Sequence, residues 1–211
     1  NNKEMKKLNL ISMMLLLVAA LSVMSCVGND NNSDYSISNA DQKAYQQQIA
    51  GTYTGKTRIY YYDTSANNFV KKDSTVDVTW TLNADSTMAF TNFPVKFLAN
   101  YITTNDTPDL VDLKAALTNS PSINIKAYYY IPNSNFVSSS SINYLVNALR
   151  FYLTYNGTAH VITIPTNAGY VGGWNSTSRF AYVLAITAGL YIDNTNYPSA
   201  MGTTAIEMAS K

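Results

Sequence analysis

One cysteine, Cys26, and one histidine, His160, are the scarcest reactive side chains in this sequence. A lone Cys excludes an internal disulfide, and a lone His excludes any site built on two imidazoles. Zinc is held by three or four Cys, His or carboxylate ligands, so a protein zinc site is not expected. His160 has the chemistry of a base toward one of the many serines, but no Gly-x-Ser-x-Gly elbow occurs. It alternates with Ile162 and Ile164 just after a turn, the setting of a hydrogen-bonded structural histidine near a barrel rim. Asp106, Asp109 and Asp112 recur every third residue near a predicted helix start. A calcium loop with its closing Glu is absent, and acids at that place favour the positive helix terminus. A glycosidase pair needs two acids roughly 5–10 Å apart. Asp77, on a polar strand face, and Glu207, near the chain's end, are not placed together by anything in the sequence. No catalytic residue, metal ligand or cofactor is expected.

Binding is the chemistry that remains. The segment Gly169-Tyr170-Val171-Gly172-Gly173-Trp174 sets two aromatic rings among glycines. It lies within Pro165–Ser178, which reads as a loop. Tyr170 and Trp174, folded back over a barrel mouth or turned to a partner, offer faces on which sugars stack. Alternation nominates Val76, Val78, Trp80, Ile125, Tyr129, Phe151, Leu153, Tyr182, Leu184 and Ile186 as interior positions. A barrel of this size has room for one small ligand, which Trp80, Tyr129 and Tyr182 would line. The same positions equally make a solid core.

These residues must be carried by 211 residues, the size of one domain. From residue 10 onward eleven basic side chains face twelve acidic ones, which removes the positive field that nucleic-acid binding requires. Only 13% of the residues are charged, whereas Tyr alone contributes 17. Strands are read at 52–62, 70–82, 87–91, 123–131, 149–155, 158–164 and 179–192, with 203–208 closing the sheet. The centre of the second strand alternates: Val76, Val78, Trp80 and Leu82 against Thr75, Asp77, Thr79 and Thr81. Asn156-Gly157 marks a type I′ hairpin turn. Helices are read at 41–50 and at 108–118, the latter with Thr107 as cap, Pro108 in the first turn and Leu110, Leu113 and Leu117 on one face. A brief helical turn is read at Phe97-Leu98. Six or seven strands with one or two accessory helices make a mainly β chain, an antiparallel barrel or barrel-like sandwich.

The first residues have a different logic. Met5-Lys6-Lys7 opens a short basic region, and an apolar run follows from Leu8 to Val23. That is the layout of a secretory signal, and the run is short for a membrane span. It ends in Leu21-Ser22-Val23-Met24-Ser25-Cys26, which resembles the lipobox of bacterial lipoproteins. The resemblance implies a signal peptide over 1–25 and an acylated Cys26 as the mature N-terminus. At roughly 0.8 kcal/mol per buried CH₂, several acyl chains hold a protein on a membrane where one does not. Residues 26–39 then form the lipidated position and a polar tether, and 40–211 a single β domain. Asp30 and Asp34 behind the cysteine resemble a sparse form of the surface-export signal of gut Bacteroidota lipoproteins. The expected location is the outer membrane, on its periplasmic or its outer face.

The helix followed by Ile49-Ala50-Gly51-Thr52-Tyr53-Thr54-Gly55 resembles the first strand of lipocalin-like (calycin-like) barrels. With the lipobox and the Asn/Thr/Tyr-rich strands, the mature chain is similar to an uncharacterised calycin-like lipoprotein family of gut Bacteroidota. The resemblance implies a non-enzymatic, membrane-anchored barrel. Its partners would be the lipid membrane through Cys26 and a small apolar ligand, a glycan or an envelope protein. A fully packed barrel serving as a structural or protein-interaction lipoprotein is the alternative.

Overall fold

A computed structural model of the chain describes residues 37–104, 107–165, 170–178, 181–187, 189–201 and 203–210. The leader 1–25, Cys26, the tether as far as residue 36, and Asp106 lie outside the described residues. Ser36–Lys211 forms one compact unit.

Helix α1 (Asn39–Ile49) starts at Ser38, whose hydroxyl accepts from the Asp41 N–H at 3.1 Å. Twelve strands follow among the described residues: β1 (Gly51–Asp63), β2 (Asn68–Leu82), β3 (Thr87–Phe93), β4 (Ile123–Tyr130), β5 (Ser141–Val146), β6 (Leu149–Tyr155), β7 (Thr158–Ile164), β8 (Tyr170–Asn175), β9 (Ala181–Thr187), β10 (Leu190–Ile192), β11 (Thr195–Tyr197) and β12 (Thr204–Ser210). Between β3 and β4 lie α2 (Lys96–Ala99) and α3 (Pro108–Asn119). The chain is therefore mainly antiparallel β with accessory helices. No helix among the described residues is long and apolar enough to cross a membrane.

The pairings run β1–β2–β3–β4–β5–β8–β9–β12 and return to β1, every step antiparallel and in chain order. The first and last strands meet over seven residue pairs, Gly55↔Ser210 to Tyr61↔Thr204. The β4–β5 seam is narrow, with only Tyr129↔Val146 and Tyr130↔Leu145, so the architecture stands between a barrel and a barrel-like sandwich. Past the seam β6 continues along the same edge of β4, at Lys126↔Arg150. It leads into a side sheet β6–β7–β10–β11. The α2–α3 segment, the β6–β7 hairpin and the β10–β11 hairpin are all inserted at one end of the ring. There Lys114 Nζ donates to Ile102 O, Thr103 N to Ala200 O, and the Tyr197 hydroxyl to Asp109. The other end carries short turns and α1.

Register assigns one face of every strand to the interior. Tyr53, Trp80, Phe90 and Ile125 are successive cross-strand partners, as are Ile142, Trp174 and Ala181. Trp80, Phe90, Tyr129, Tyr144, Ile59 and Met88 are buried there, and each such side chain stabilises by about 1.5–3 kcal/mol through lost contact with water. Phe151 and Leu153, read as barrel interior, lie instead on the side strand β6, to which α3 is packed. Val76 lies half in water.

Three expectations are corrected. The Gly-rich stretch expected as a loop is the strand β8. A Cβ at Gly172 would stand 1.8 Å from the Tyr144 ring, so glycine there is the seat of an aromatic side chain from β5, not a hinge. The single strand expected over 179–192 is two, β9 and β10, divided where a Cβ at Gly189 would meet Pro198 O at 2.8 Å. In β9 the interior phase is the small-residue one, with Ala181 and Val183 buried; Leu184 and Ile186 share the register of Glu207 and Ala205, and Tyr182 that of Ala209. The Asn156-Gly157 turn has the expected form, with φ of 51° and 74°.

A Cβ at Gly55 would lie 1.8 Å from Ala209 O, in the backbone of the closing strand, whereas one at Gly157 meets nothing within 4 Å and suffers only from positive φ. Gly157→Ala should cost about 1 kcal/mol, and Gly55→Ala about 3 kcal/mol or more, since backbone must move. Urea melts of the two variants check that order.

Candidate functional site

The end of the ring that carries α1 opens a cleft of about 520 Å³, lined by Gln48, Ala50, Gly51, Thr52, Tyr53, Thr54, Trp174, Ser176 and Ser210. The start of β1, the ends of β8 and β12 and the last turn of α1 build it. Only Ala50 separates α1 from Gly51, which brings Tyr53 back against the helix, and the Tyr53 hydroxyl donates to Ile49 O at 2.6 Å. Trp174 comes from the end of β8, held by its partners Ile142 and Ala181.

Three aromatic rings descend from this rim. Trp174 is half-buried beside Tyr53 in the cleft lining. Burial raises the Tyr53 hydroxyl pKa, and the neighbouring Trp174 indole N–H, a donor only, offsets part of that rise. Below, the Tyr53 ring stacks on Trp80 with centroids 5.9 Å apart and planes at 27°. Trp80 is wholly buried and its Nε1 has no hydrogen-bond partner, a desolvation cost of about 1–3 kcal/mol. Tyr129 lies at the same end: its hydroxyl donates to Asn83 O at 2.6 Å and its ring meets Tyr144 edge-on at 5.3 Å. Burial, with the charge of Asp85 nearby, pushes its pKa up.

Of the residues proposed from sequence to bind a ligand, Trp174 lines the cleft, Trp80 lies under it, and Tyr129 is in the core. Tyr170 begins β8, four positions from Trp174; about 13 Å of strand separates them. Tyr182 pairs with Gly173 and Ala209. The side chains of both lie outside the described residues. Tyr53, Gln48, Ser176 and Ser210 were not foreseen as site residues. The Gly-x-Tyr-x-Gly run did signal Tyr53, as a feature of fold rather than of binding.

The other reactive groups are engaged elsewhere. The His160 ring stacks on Tyr155 with centroids 4.1 Å apart, and its Nδ1 lies 3.0 Å from Asp193 Oδ2. Asp193 Oδ1 accepts from the Val161 N–H at 2.9 Å. The pair thus ties the β10–β11 turn to β7. Asp109 accepts from Tyr197, and Asp112 from Asn156 Nδ2 at 2.7 Å, both latching α3 to the side sheet. Asp77 and Glu207 lie on opposite flanks of β1, each with its own cation: Lys56–Asp77 at 2.9 Å and Arg58–Glu207 at 2.5 Å. Among the described residues no group of three or more His, Cys, Asp or Glu is placed to hold a metal ion.

A family model described as a domain of unknown function (DUF4840) matches residues 48–192, which takes in α1's last turn, β1 and β8. No curated protein and no solved structure matches the chain.

The Val161 N–H, and after it His160, hold the Asp193 carboxyl below the usual carboxylate value. A lowered folded-state pKa adds stability above the unfolded value and loses it as pH falls through the folded one. Asp193→Asn should therefore destabilise the chain at pH 6, and the gap from the parent should narrow below pH ~4. Urea melts across that range read it.

Proposed function

We propose, for a chain that belongs to the DUF4840 family of domains of unknown function, a non-enzymatic binding role at the membrane, with the ligand held at the rim cleft. The observation that carries this is the Trp174–Tyr53 pair. Two rings, one half in water, stand beside the polar side chains of Gln48, Thr52, Thr54, Ser176 and Ser210. A sugar has the matching chemistry, an apolar C–H face for the rings and hydroxyls for the polar rim. The interior is less suited to the ligand. Its positions are taken by Trp80, Phe90, Tyr129 and Tyr144, all buried. That packing also supports the second reading, a structural or protein-interaction lipoprotein with a filled barrel.

The lipobox around Cys26 supports an acyl anchor, and the outer membrane as its place. Kinship with calycin-like barrels is supported by the up-and-down order of the eight ring strands and by α1 preceding the Gly51-to-Gly55 run. The roles of His160, Asp193, Asp109 and Asp112 as fold contacts support binding over catalysis.

Titration of the chain with a panel of neutral oligosaccharides, read by calorimetry, tests the cleft. Trp174→Ala should weaken the tightest ligand about tenfold or more, while Val111→Ala, on exposed α3 surface, should not. Equal affinity in the two variants removes the cleft from the reading. Mass spectrometry of the protein from its native cells should find a mature N-terminus at Cys26 carrying fatty acid; any other start sinks the anchor.

A further inference from the structure

The outer face of the sheet, where β4 meets β6, is built differently from the rest of that face. On β1 the two cations have acids across the strand: Lys56 is partnered by Asp77 and Arg58 by Glu207. On β4 and β6 two cations face each other. Lys126 and Arg150 are direct cross-strand partners, both exposed. Neither side chain makes an ion pair or hydrogen bond among the described residues. Like charges directly opposite one another destabilise an antiparallel pair. Asp85, in the turn before β3, is bonded to the Thr87 N–H and hydroxyl.

Tyrosines flank this pair. Tyr128 follows Lys126 by two residues and Tyr152 follows Arg150 by two, so both share the cations' face. They are 62% and 67% exposed, large rings left in water. Because the strands are antiparallel, the tyrosines lie on opposite sides of the Lys126–Arg150 pair. The line from ring to cations to ring covers about 13 Å along the strands, the reach of an oligosaccharide rather than a single sugar.

We propose that this face binds an acidic polysaccharide. Sugar rings stack on Tyr128 and Tyr152, and carboxylate or sulfate groups on the chain pair with Lys126 and Arg150. An anion between the two cations turns their mutual repulsion into attraction for both, and Arg150 offers a planar fork to a carboxylate. The large exposed side chains of this patch are all hydroxyl-tipped tyrosines, whereas a membrane-inserting face presents aliphatic and Trp or Phe side chains. Two cations are too few for the phosphate tracking of a nucleic-acid groove. The face shares no residue with the rim cleft, so it stands whether or not the cleft binds sugar.

The full chain with Cys26→Ser, which blocks acylation, and Trp174→Ala, which takes the rim cleft out of the comparison, is titrated with polygalacturonate, chondroitin sulfate, neutral dextran and anionic phospholipid vesicles. The acidic polysaccharides should bind and dextran should not. The double variant Lys126→Gln/Arg150→Gln should weaken binding about tenfold or more, and should melt no lower than its parent, having lost a repulsive pair. Tyr128→Ala/Tyr152→Ala should weaken binding comparably with the charge intact, which a purely ionic contact would not do. Val111→Ala, on exposed α3 surface, should leave it unchanged. Dextran binding as tightly as polygalacturonate, full affinity in the tyrosine variant, or vesicles bound in preference to the polysaccharides would each overturn the proposal.

Discussion

The meeting of the first strand with the last is the contact on which the rest of the fold depends. Seven residue pairs join β1 to β12, and at Gly55 the β12 backbone comes so close that no side chain fits between. An antiparallel meander that fails to meet itself leaves two edges open to other chains. Here one glycine permits the approach that removes them. The opposite seam, β4 to β5, needs no such approach because β6 extends the same edge of β4 and anchors it at Lys126↔Arg150. Closure at one seam and branching at the other divide the molecule into a ring and a side sheet.

That division places the candidate site. All three insertions leave the ring at the same end, where α3 and the side sheet are latched by Tyr197–Asp109 and Asn156–Asp112. The ring's interior is filled by aromatic side chains, so concave space remains where strands end against α1. Trp174 and Tyr53 line that space, and the Tyr53 ring stacks on the buried Trp80 below it. A rim built this way is stiff, because Tyr53 is held by Ile49 O at its hydroxyl and by the buried Trp80 at its ring. Stiffness of this kind lowers the ordering entropy lost on binding.

The sequence was legible where the cause of structure is local. Asn156-Gly157 forms a type I′ turn because its two residues tolerate positive φ; the alternation around Trp80 makes β2; Pro108 and the three leucines make α3. It was illegible where the cause lies across the sheet. The glycines of β8 read as a loop because nothing near them in sequence announces Tyr144, the ring that occupies the space over Gly172. Likewise Gly189 divides a long apolar run because Pro198 stands against it. The same rule applies to the site. Trp174 was visible as a ring without a local reason for burial, although its loop was wrong. Tyr53 was hidden because a Tyr in a strand needs no explanation until its partners are known.

Charge is sparse, so each charged pair weighs more. In a chain with 13% charged residues, each ion on a strand face has few neighbours, and its cross-strand partner dominates its energy. Glu207 shows how far this goes: it is 2% exposed on an outer-facing register, tolerable because Arg58 lies directly opposite. Burial, and next the Glu207 charge, push the neighbouring Tyr60 hydroxyl up to about 12, so it stays a neutral donor beside that carboxylate. The same sheet thus matches its cations on β1 and leaves Lys126 against Arg150 on β4 and β6. The matched ions flank the strand that closes the ring, and the unmatched pair stands in water beside Tyr128 and Tyr152, where a bound anion would relieve its repulsion.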